Sequence, residues 1–413
     1  MKISRKLFVL VLVVAMGLML SATLVNAQDG TVIRIASQSP LSGGQSVVGT
    51  AIRNGTELAI MQLAGPLTEL GYTVEFVPYD DQATADVGVS NAQLIVNDPA
   101  ILAVVGHYNS GVAIPSSEVY NDNDLVMVSP ANTGVNITDR GYATVNRICG
   151  RDDAQGAAGA QFAATLDGVE SVYVLHDTTT YGQGVADFFS AEAEAQGLTV
   201  LGFEGTEETA NFEGIIQPII ALEPDLVYFG GIYDRGGILI SQLRTAGYTG
   251  VFLGPDGMDS SEFANIAGEA AIGTYYTTTG APVTVFPEAA QFVEDYTAEF
   301  EMDPQPYAAQ SYDVTGIIIT AITQLIEENG TLPTRAEVAA AVRATTEYQG
   351  ITGNYTFDDN GDPEMASYYI ISVDSSDPAL WGSNTILSTQ MIPSPLAAMA
   401  MMEEMMPEAT PGS

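Results

Sequence analysis

Short apolar runs rich in β-branched residues alternate, in the N-terminal part of the chain, with longer stretches whose apolar residues recur every three or four positions. The short runs begin at Thr31, Thr73, Ile101 and Leu125. Strand-length runs separated by amphipathic helical stretches are typical of a parallel sheet with helices on both faces. This part of the chain therefore predicts a β-α-β-α-β-α-β unit.

The same alternation starts again after about Arg147. Its strand-like runs begin at Ser171, Leu198, Asp225 and Gly250, with helical stretches between them. The rest of the chain adds only two helical stretches and two strand-like runs, too few for a third domain, so we expect them to complete the first two units. The pattern therefore predicts an α/β protein with two doubly wound parallel-sheet lobes.

The N-terminus has the three parts of a secretory signal. Three basic residues precede an uninterrupted apolar run at 7–20, and a small-residue cleavage sequence ends at Ala27. The apolar run is shorter than the roughly 20 residues that a membrane helix needs. We therefore expect cleavage near Ala27 and an exported, periplasmic protein whose mature chain has no membrane span. An uncleaved N-terminal anchor is the alternative.

Charge and rare residue types narrow the function further. Without the three basic residues of the signal, nine arginines and no lysine stand against 51 acidic residues, a net charge of −42. This charge disfavours nucleic acid and anionic membranes as partners, and the absence of lysine excludes a Walker A loop and a Schiff base. One cysteine and two histidines are too few for a disulfide or for most His/Cys metal sites. We expect neither a metal nor a cofactor.

Candidate chemistry lies where predicted strands end, because ligands of open parallel sheets bind beyond the carboxyl ends of the strands. A serine among small residues at a helix start offers a hydroxyl and free amides to a carboxylate. Each loop also has an ordinary interpretation as a helix cap or a turn. The four loops are 106–111, 129–133, 177–184 and 254–257.

The order and spacing of these loops resemble the periplasmic leucine/isoleucine/valine-binding proteins, the substrate-binding proteins of branched-chain amino acid ABC transporters. The resemblance covers nearly all of the chain after the signal except the C-terminal segment. The matching segments are PLSGG at Pro40, YDDQAT at Tyr79, VGHYNSGVAIPSSEVY at Val105, SPANT at Ser129, HDTTTYGQG at His176, VYFGGIYDRGG at Val227, GPDG at Gly254 and YTFDDNGD at Tyr355.

The resemblance implies the type I periplasmic binding protein fold, in which two lobes are joined by three crossovers and the ligand lies in the cleft between them. It places 31–148 and 278–352 in lobe one, and 149–277 and 353–380 in lobe two. The segment 391–413 is rich in Met, Pro and Glu, and we predict a disordered tail there.

The resemblance also implies the ligand contacts. Ser110 aligns with the serine that binds the ligand carboxylate, and Ala131 and Thr133 align with the loop pair that bridges carboxylate and ammonium. Tyr181 matches a cleft tyrosine of lobe two. Asp256 stands where the family usually has glutamate, the counter-charge of the ammonium.

Departures from the family pattern fall around the side chain of the ligand. Val48 replaces a tyrosine common in the first loop, and Ile232 falls at another aromatic position, with Tyr233 adjacent. Asn109 stands where some relatives have a disulfide cysteine. Val48, Ile232 and Tyr233, together with Tyr108, complete the predicted ligand-binding set. The set is Val48, Tyr108, Ser110, Ala131, Thr133, Tyr181, Ile232, Tyr233 and Asp256.

We therefore predict a monomeric solute-binding component of an ABC importer that captures an amino acid, with leucine, isoleucine or valine first. The permease subunits of the transporter would be separate chains. The alternative is a sensor or binding protein for amides, urea or another small nitrogen compound on the same fold. A third hypothesis is an enzyme with a Ser/His/Asp or carboxylate-pair site, but Gly-x-Ser-x-Gly is absent, and His107 and His176 lie in different units. We predict that the chain is not an enzyme.

Overall fold

The computed structural model describes residues 30–405, with side chains described for 30–402. The predicted signal at 1–27 and the last residues of the predicted tail, 406–413, lie outside this range. Within residues 30–405, no helix has the length and apolar character needed to span a bilayer.

The first sheet has five parallel strands in the order β2-β1-β3-β4-β5. All its connections are crossovers, as parallel pairing requires, and all except the connection from β4 to β5 pass through α-helices. The strands are β1 (Thr31–Ser39), β2 (Tyr72–Asp80), β3 (Ile101–Gly106), β4 (Val126–Ser129) and β5 (Val145–Arg147). The helices between them are α1 (Ser46–Leu63), α2 (Gly65–Glu69), α3 (Ala85–Val96) and α4 (Ser110–Asn121).

Both faces of this sheet are covered, which explains why the central strands are apolar without alternation. Every residue of β3 and β4 is buried. One face packs on α3 and α4, and the other packs on α1 and on two helices from late in the chain, α11 (Ala308–Asn329) and α12 (Arg335–Arg343). The first sheet with these helices is lobe one.

The second sheet has seven strands in the order β14-β13-β10-β9-β8-β6-β7. Five are parallel, while β13 runs antiparallel to both β10 and β14. The strands are β6 (Ser171–His176), β7 (Thr199–Gly205), β8 (Leu226–Gly230), β9 (Val251–Gly254), β10 (Tyr275–Thr278), β13 (Met365–Ser372) and β14 (Thr385–Pro393). The remaining helices are α5 (Asp152–Thr165), α6 (Thr180–Ala195), α7 (Glu213–Leu222), α8 (Tyr233–Thr245), α9 (Ser261–Ala267) and α10 (Ala290–Phe300). This sheet with α5 to α9 is lobe two.

The prediction of a disordered tail from Met391 is wrong for residues 391–405. Met391 lies in β14, which pairs along β13 from Thr385 opposite Ser372 to Pro393 opposite Met365. A helix, α13 (Pro395–Met405), follows. The buried Ser394 hydroxyl donates to Asp358 (2.7 Å), which fixes the turn between the strand and the helix.

The chain passes between the lobes after β5, after β10 and again before β13. The third passage contains a short hairpin of β11 (Tyr348–Gln349) and β12 (Asn354–Tyr355). A buried ion pair joins the first and third passages, because Arg147 donates to Asp362 at 2.6 Å. Arg151 reaches the other oxygen of the same carboxylate at 2.9 Å.

Candidate ligand-binding site

Two loops of lobe one are held together by one asparagine. The Asn132 side-chain oxygen accepts hydrogen bonds from the amide of His107 (2.9 Å) and the hydroxyl of Ser129 (2.8 Å). Its amide nitrogen donates to the carbonyl of Tyr108 (2.7 Å). The loops after β3 and β4 therefore form one rigid surface at the carboxyl ends of these strands.

This surface offers groups suited to an anion. Ser110 is the first residue of α4, where the positive end of the helix dipole lies. Its hydroxyl accepts a hydrogen bond from the amide of Gly134 (3.3 Å). The buried Thr133 hydroxyl has no hydrogen-bond partner among the described residues. A buried hydroxyl without a partner is costly, and a ligand atom would supply that partner.

A carboxylate faces these loops from lobe two. Asp256 follows β9 and is buried. One of its oxygens accepts from the hydroxyl of Tyr181 and the other from the hydroxyl of Tyr307, both at 2.6 Å. Burial raises the pKa of the Asp256 carboxyl, and the two tyrosine hydroxyls oppose that shift. The amide of Gly257 donates to the Tyr181 oxygen (2.7 Å), which fixes this tyrosine against the turn.

Tyr307 is absent from the residues predicted from sequence. It lies immediately before α11, so it approaches Asp256 from the segment that returns to lobe one. Its φ of 70° is uncommon for a bulky residue and marks a position held by its surroundings. The ring packs against Tyr108, with centroids 6.2 Å apart. No local pattern indicates this role, because it depends on the crossover that brings Tyr307 to lobe two.

The apolar part of the predicted set lies in one continuous cluster. This cluster contains residues of both lobes, and Tyr307 belongs to it. The hydroxyls of Tyr108 and Tyr233 are buried and have no partner among the described residues. The predicted members of the cluster are Val48, Tyr108, Ala131, Tyr181, Ile232 and Tyr233. The structure therefore brings all nine predicted residues to buried positions at the junction of the lobes.

The lobes touch each other around this site. A methyl group built on Gly111 of α4 would lie 3.6 Å from the hydroxyl of Thr180, the first residue of α6. On another side, the side-chain nitrogen of Gln45 in lobe one lies 3.5 Å from a carboxylate oxygen of Asp234 in lobe two. The two helix starts face each other across the cleft, and the described molecule is closed over the site.

The first turn of α5 adds two polar side chains that sequence reasoning missed, Asp152 and Gln155. Both are buried, and one oxygen of Asp152 and both amide atoms of Gln155 lack a hydrogen-bond partner among the described residues. Burial and the charge of Asp256 raise the pKa of the Asp152 carboxyl. Asp152 and Gln155 are three residues apart, which places both side chains on one face of a helix. This spacing was the sequence signal that could have indicated them.

The histidines of the chain take no part in this site. His107 is buried and its Nδ1 lies 3.2 Å from Asp81, within lobe one. His176 ends β6 in lobe two and contacts the ring of Phe203. Within the described part of the chain, no three His, Cys, Asp or Glu side chains are grouped so that they could hold a metal ion.

Comparison with known proteins gives the family. Residues 32–378 match the family model described as periplasmic binding protein. The chain is 31% identical over 338 residues to Leu/Ile/Val-binding protein homolog 2 of Brucella abortus, covering 81% of this chain and 89% of the relative. It is 32% identical over 344 residues to a leucine-, isoleucine-, valine-, threonine- and alanine-binding protein of Pseudomonas aeruginosa, covering 80% and 87%.

Solved structures show the same fold. A leucine-binding protein from Thermotoga maritima superposes with a TM-score of 0.77 at 28% identity, covering 86% of this chain and 98% of that protein. A branched-chain amino acid transporter substrate-binding protein from Streptococcus pneumoniae, in complex with isoleucine, has a TM-score of 0.75 at 20% identity. It covers 88% of this chain and all of that protein, and it supports the fold alone.

Proposed function

This chain belongs to the periplasmic binding protein family, among the substrate-binding proteins of branched-chain amino acid ABC transporters, and we propose that it captures leucine, isoleucine or valine between its two lobes. We further propose that the chain is exported with signal cleavage near Ala27, and that it delivers the amino acid, as a monomer, to separate permease subunits. Its relatives are substrate-binding proteins, which supports a function without catalysis.

One observation supports an amino acid most strongly: an anion-binding surface and a carboxylate face each other across one enclosed site. An amino acid carries both charges, and burying either without a partner is very costly. Ser110 and Thr133 suit the ligand carboxylate, and Asp256 suits the ammonium. A neutral amide or urea, the alternative ligand, would leave the Asp256 charge without a counter-ion.

The apolar surroundings support a branched aliphatic side chain. Val48 and Ile232 approach the site from opposite lobes and are both buried. The relative from Pseudomonas aeruginosa is named for binding leucine, isoleucine, valine, threonine and alanine. We propose that ligand contacts from both lobes favour the closed state, which the transporter then recognises.

Calorimetry on Asp256 variants tests this proposal after a thermal-shift screen of the twenty amino acids. A ligand at 100 times its dissociation constant adds about 2.7 kcal/mol of stability, which identifies the best ligand. Asp256→Ala should then cost about 2–5 kcal/mol of binding free energy, which is roughly 30-fold to several thousand-fold in affinity. Asp256→Asn removes the charge but keeps an acceptor for the tyrosines. Ser110→Ala should cost less, because the helix-start amides still face the carboxylate.

Asp187→Ala is the matched control, since Asp187 is an exposed carboxylate of lobe two in α6. It should bind as tightly as the unmodified chain. If folded Asp256→Ala binds within threefold of the unmodified chain, the ammonium assignment is wrong. Binding of amides or urea in place of amino acids would then favour the alternative function.

A further inference from the structure

The C-terminal helix α13 and the residues around it are unusually rich in methionine. Six of the 14 methionines of the chain lie within residues 391–406, and after Leu396 methionine is the one large apolar residue type in the sequence. Apolar packing does not require sulfur, whereas binding a soft metal ion does. The six residues are Met391, Met399, Met401, Met402, Met405 and Met406.

The methionines of α13 whose side chains are described point to solvent. Met399, Met401 and Met402 are 53%, 46% and 64% exposed. The first turn of the helix is fixed, because the hydroxyl of Ser394 accepts a hydrogen bond from the amide of Ala397 (3.1 Å). The helix therefore holds these thioethers at a constant spacing on the surface of the protein.

Two of the exposed thioethers lie on the same side of the helix. Met399 and Met402 are three residues apart, so their Cβ atoms lie about 5–6 Å from each other. Three rotatable bonds in each side chain allow both sulfur atoms to reach one ion. Met405, the last residue of α13, continues this spacing in the sequence. Met391 differs, because its sulfur accepts a hydrogen bond from the hydroxyl of Ser367 (2.8 Å).

The thiol and imidazole groups of the described chain are buried and do not compete for an ion in solution. Cys149 is the sole cysteine, and burial raises the pKa of its thiol well above the usual range. Its S–H group donates to the carbonyl of Asn132 (3.3 Å). His107 and His176 are both buried. A soft metal ion that approaches the protein therefore meets the exposed thioethers before any thiolate or imidazole.

The charge near α13 favours a cation. No Lys, Arg or His follows Arg343 in the sequence, and Glu403 and Glu404 lie within the helix. The acidic surface of the whole molecule raises the local concentration of cations. The thioethers are neutral, so they contribute selectivity for soft ions rather than charge.

We propose that α13 binds a soft monovalent metal ion, Cu(I) or its redox-inert analogue Ag(I), through the thioether sulfurs of Met399 and Met402. Thioether ligands select soft ions, whereas hard ions such as Mg²⁺ bind to oxygen ligands. The ion keeps its oxidation state on binding and forms coordinate bonds to the two sulfur atoms. This site is separate from the proposed amino acid site and does not depend on that proposal.

Calorimetry with silver nitrate in chloride-free buffer tests the proposal on the full chain without its signal. The double variant Met399→Leu/Met402→Leu replaces both sulfur atoms at nearly constant side-chain volume. Its affinity for Ag(I) should fall at least about tenfold, because both soft donors are lost. Met61→Leu is the matched control, since Met61 in α1 is 57% exposed. Its affinity for Ag(I) should equal that of the unmodified chain.

NMR spectroscopy of the methionine methyl groups locates the ion. With methionine labelled at the ε-carbon, saturating Ag(I) should shift the signals of Met399 and Met402 and leave the signal of Met61 in place. The leucine variants assign these signals. The melting temperature and the leucine affinity of the double variant should match those of the unmodified chain, which shows that the variant is folded.

Three outcomes would overturn the inference. Unchanged Ag(I) affinity in the folded double variant would show that the two thioethers are not ligands. Unshifted methyl signals of Met399 and Met402 at saturating Ag(I) would place the ion elsewhere. Displacement of Ag(I) by Mg²⁺ would assign it to carboxylates. None of these results bears on leucine binding, so the amino acid proposal stands or fails by its own experiment.

Discussion

At the scale of single residues, Asp259 is a buried acid whose protonation couples to folding. Its two oxygens accept hydrogen bonds from the indole of Trp381 (2.8 Å) and the hydroxyl of Thr278 (3.1 Å). Burial raises the pKa of Asp259 to about 7, against the opposing effect of these donors. The native protein therefore holds a proton on Asp259 at pH values where the unfolded chain has lost it.

This linkage predicts a pH-dependent stability. Between the unfolded pKa near 4 and the native pKa near 7, the native state binds more protons than the unfolded state. The stabilising contribution of Asp259 to the free energy of unfolding is therefore full below pH 4 and is lost as the pH rises to 7. Asp259→Asn keeps acceptor and donor atoms but cannot titrate. Urea denaturation should show the unmodified chain losing more free energy of unfolding from pH 5 to pH 8 than Asp259→Asn does. Parallel pH profiles would contradict this assignment, since other buried acids such as Asp313 are common to both proteins.

Residues of the candidate site could be predicted only where a motif indicated them. Ser110 and Asp256 lie in short segments at strand ends, where a parallel sheet places its ligand site. Tyr307 and Asp152 are separated from those motifs in sequence and reach the site only through the crossovers and the closure of the lobes. Their proximity is a property of the tertiary structure, so periodicity and local composition could not reveal it.

At the scale of elements, the strands buried on both faces were the most predictable. The run ILAVVG gives β3 at Ile101–Gly106, because a central parallel strand must be apolar at every position. β14 was missed because none of its residues is buried, with half-buried and exposed positions alternating along it, and because its C-terminal end resembles a low-complexity segment. α12 was also missed, although Thr334 and Glu337 form a capping box at its N-terminus.

The ion pair between the crossovers gives an element-scale prediction. Asp362 accepts from Arg147, Arg151 and the hydroxyl of Thr138, and Arg147 is fully buried. The two arginine charges lower the pKa of Asp362 and overcome the opposing effect of burial. Asp362→Ala would leave the Arg147 charge buried without a counter-ion, which typically costs about 3–5 kcal/mol.

Urea denaturation of Asp362→Ala measures that cost. Asp139→Ala is the control, because Asp139 also pairs with Arg151 (2.7 Å) but is 44% exposed. An exposed ion pair contributes only about 0–1 kcal/mol, so this variant should unfold almost like the unmodified chain. Similar midpoints for the two variants would show that the crossovers do not depend on the buried pair.

At the scale of the whole molecule, acidic charge greatly exceeds the basic charge available to balance it. All nine arginines after the predicted signal make hydrogen bonds within the described structure. Within residues 30–402, five of them form ion pairs with carboxylates: Arg34, Arg53, Arg140, Arg147 and Arg151. Others serve backbone carbonyls, as Arg335 does at the start of β3. Most of the acidic residues in the described part of the chain therefore lack a basic partner.

This imbalance predicts that salt stabilises the protein. Like charges distributed over a compact surface repel each other and favour the expanded state. Screening shortens the range of that repulsion, because the Debye length falls from about 10 Å at 0.1 M salt to about 3 Å at 1 M. The melting temperature should therefore rise between 0.1 M and 1 M NaCl. A comparison of sodium chloride with sodium thiocyanate separates screening from ion-specific effects. Below about 0.1 M salt, where the Debye length is about 10 Å or more, both salts should raise the melting temperature equally. A flat or falling response to both salts would mean that the acidic surface confers solubility without destabilising the fold.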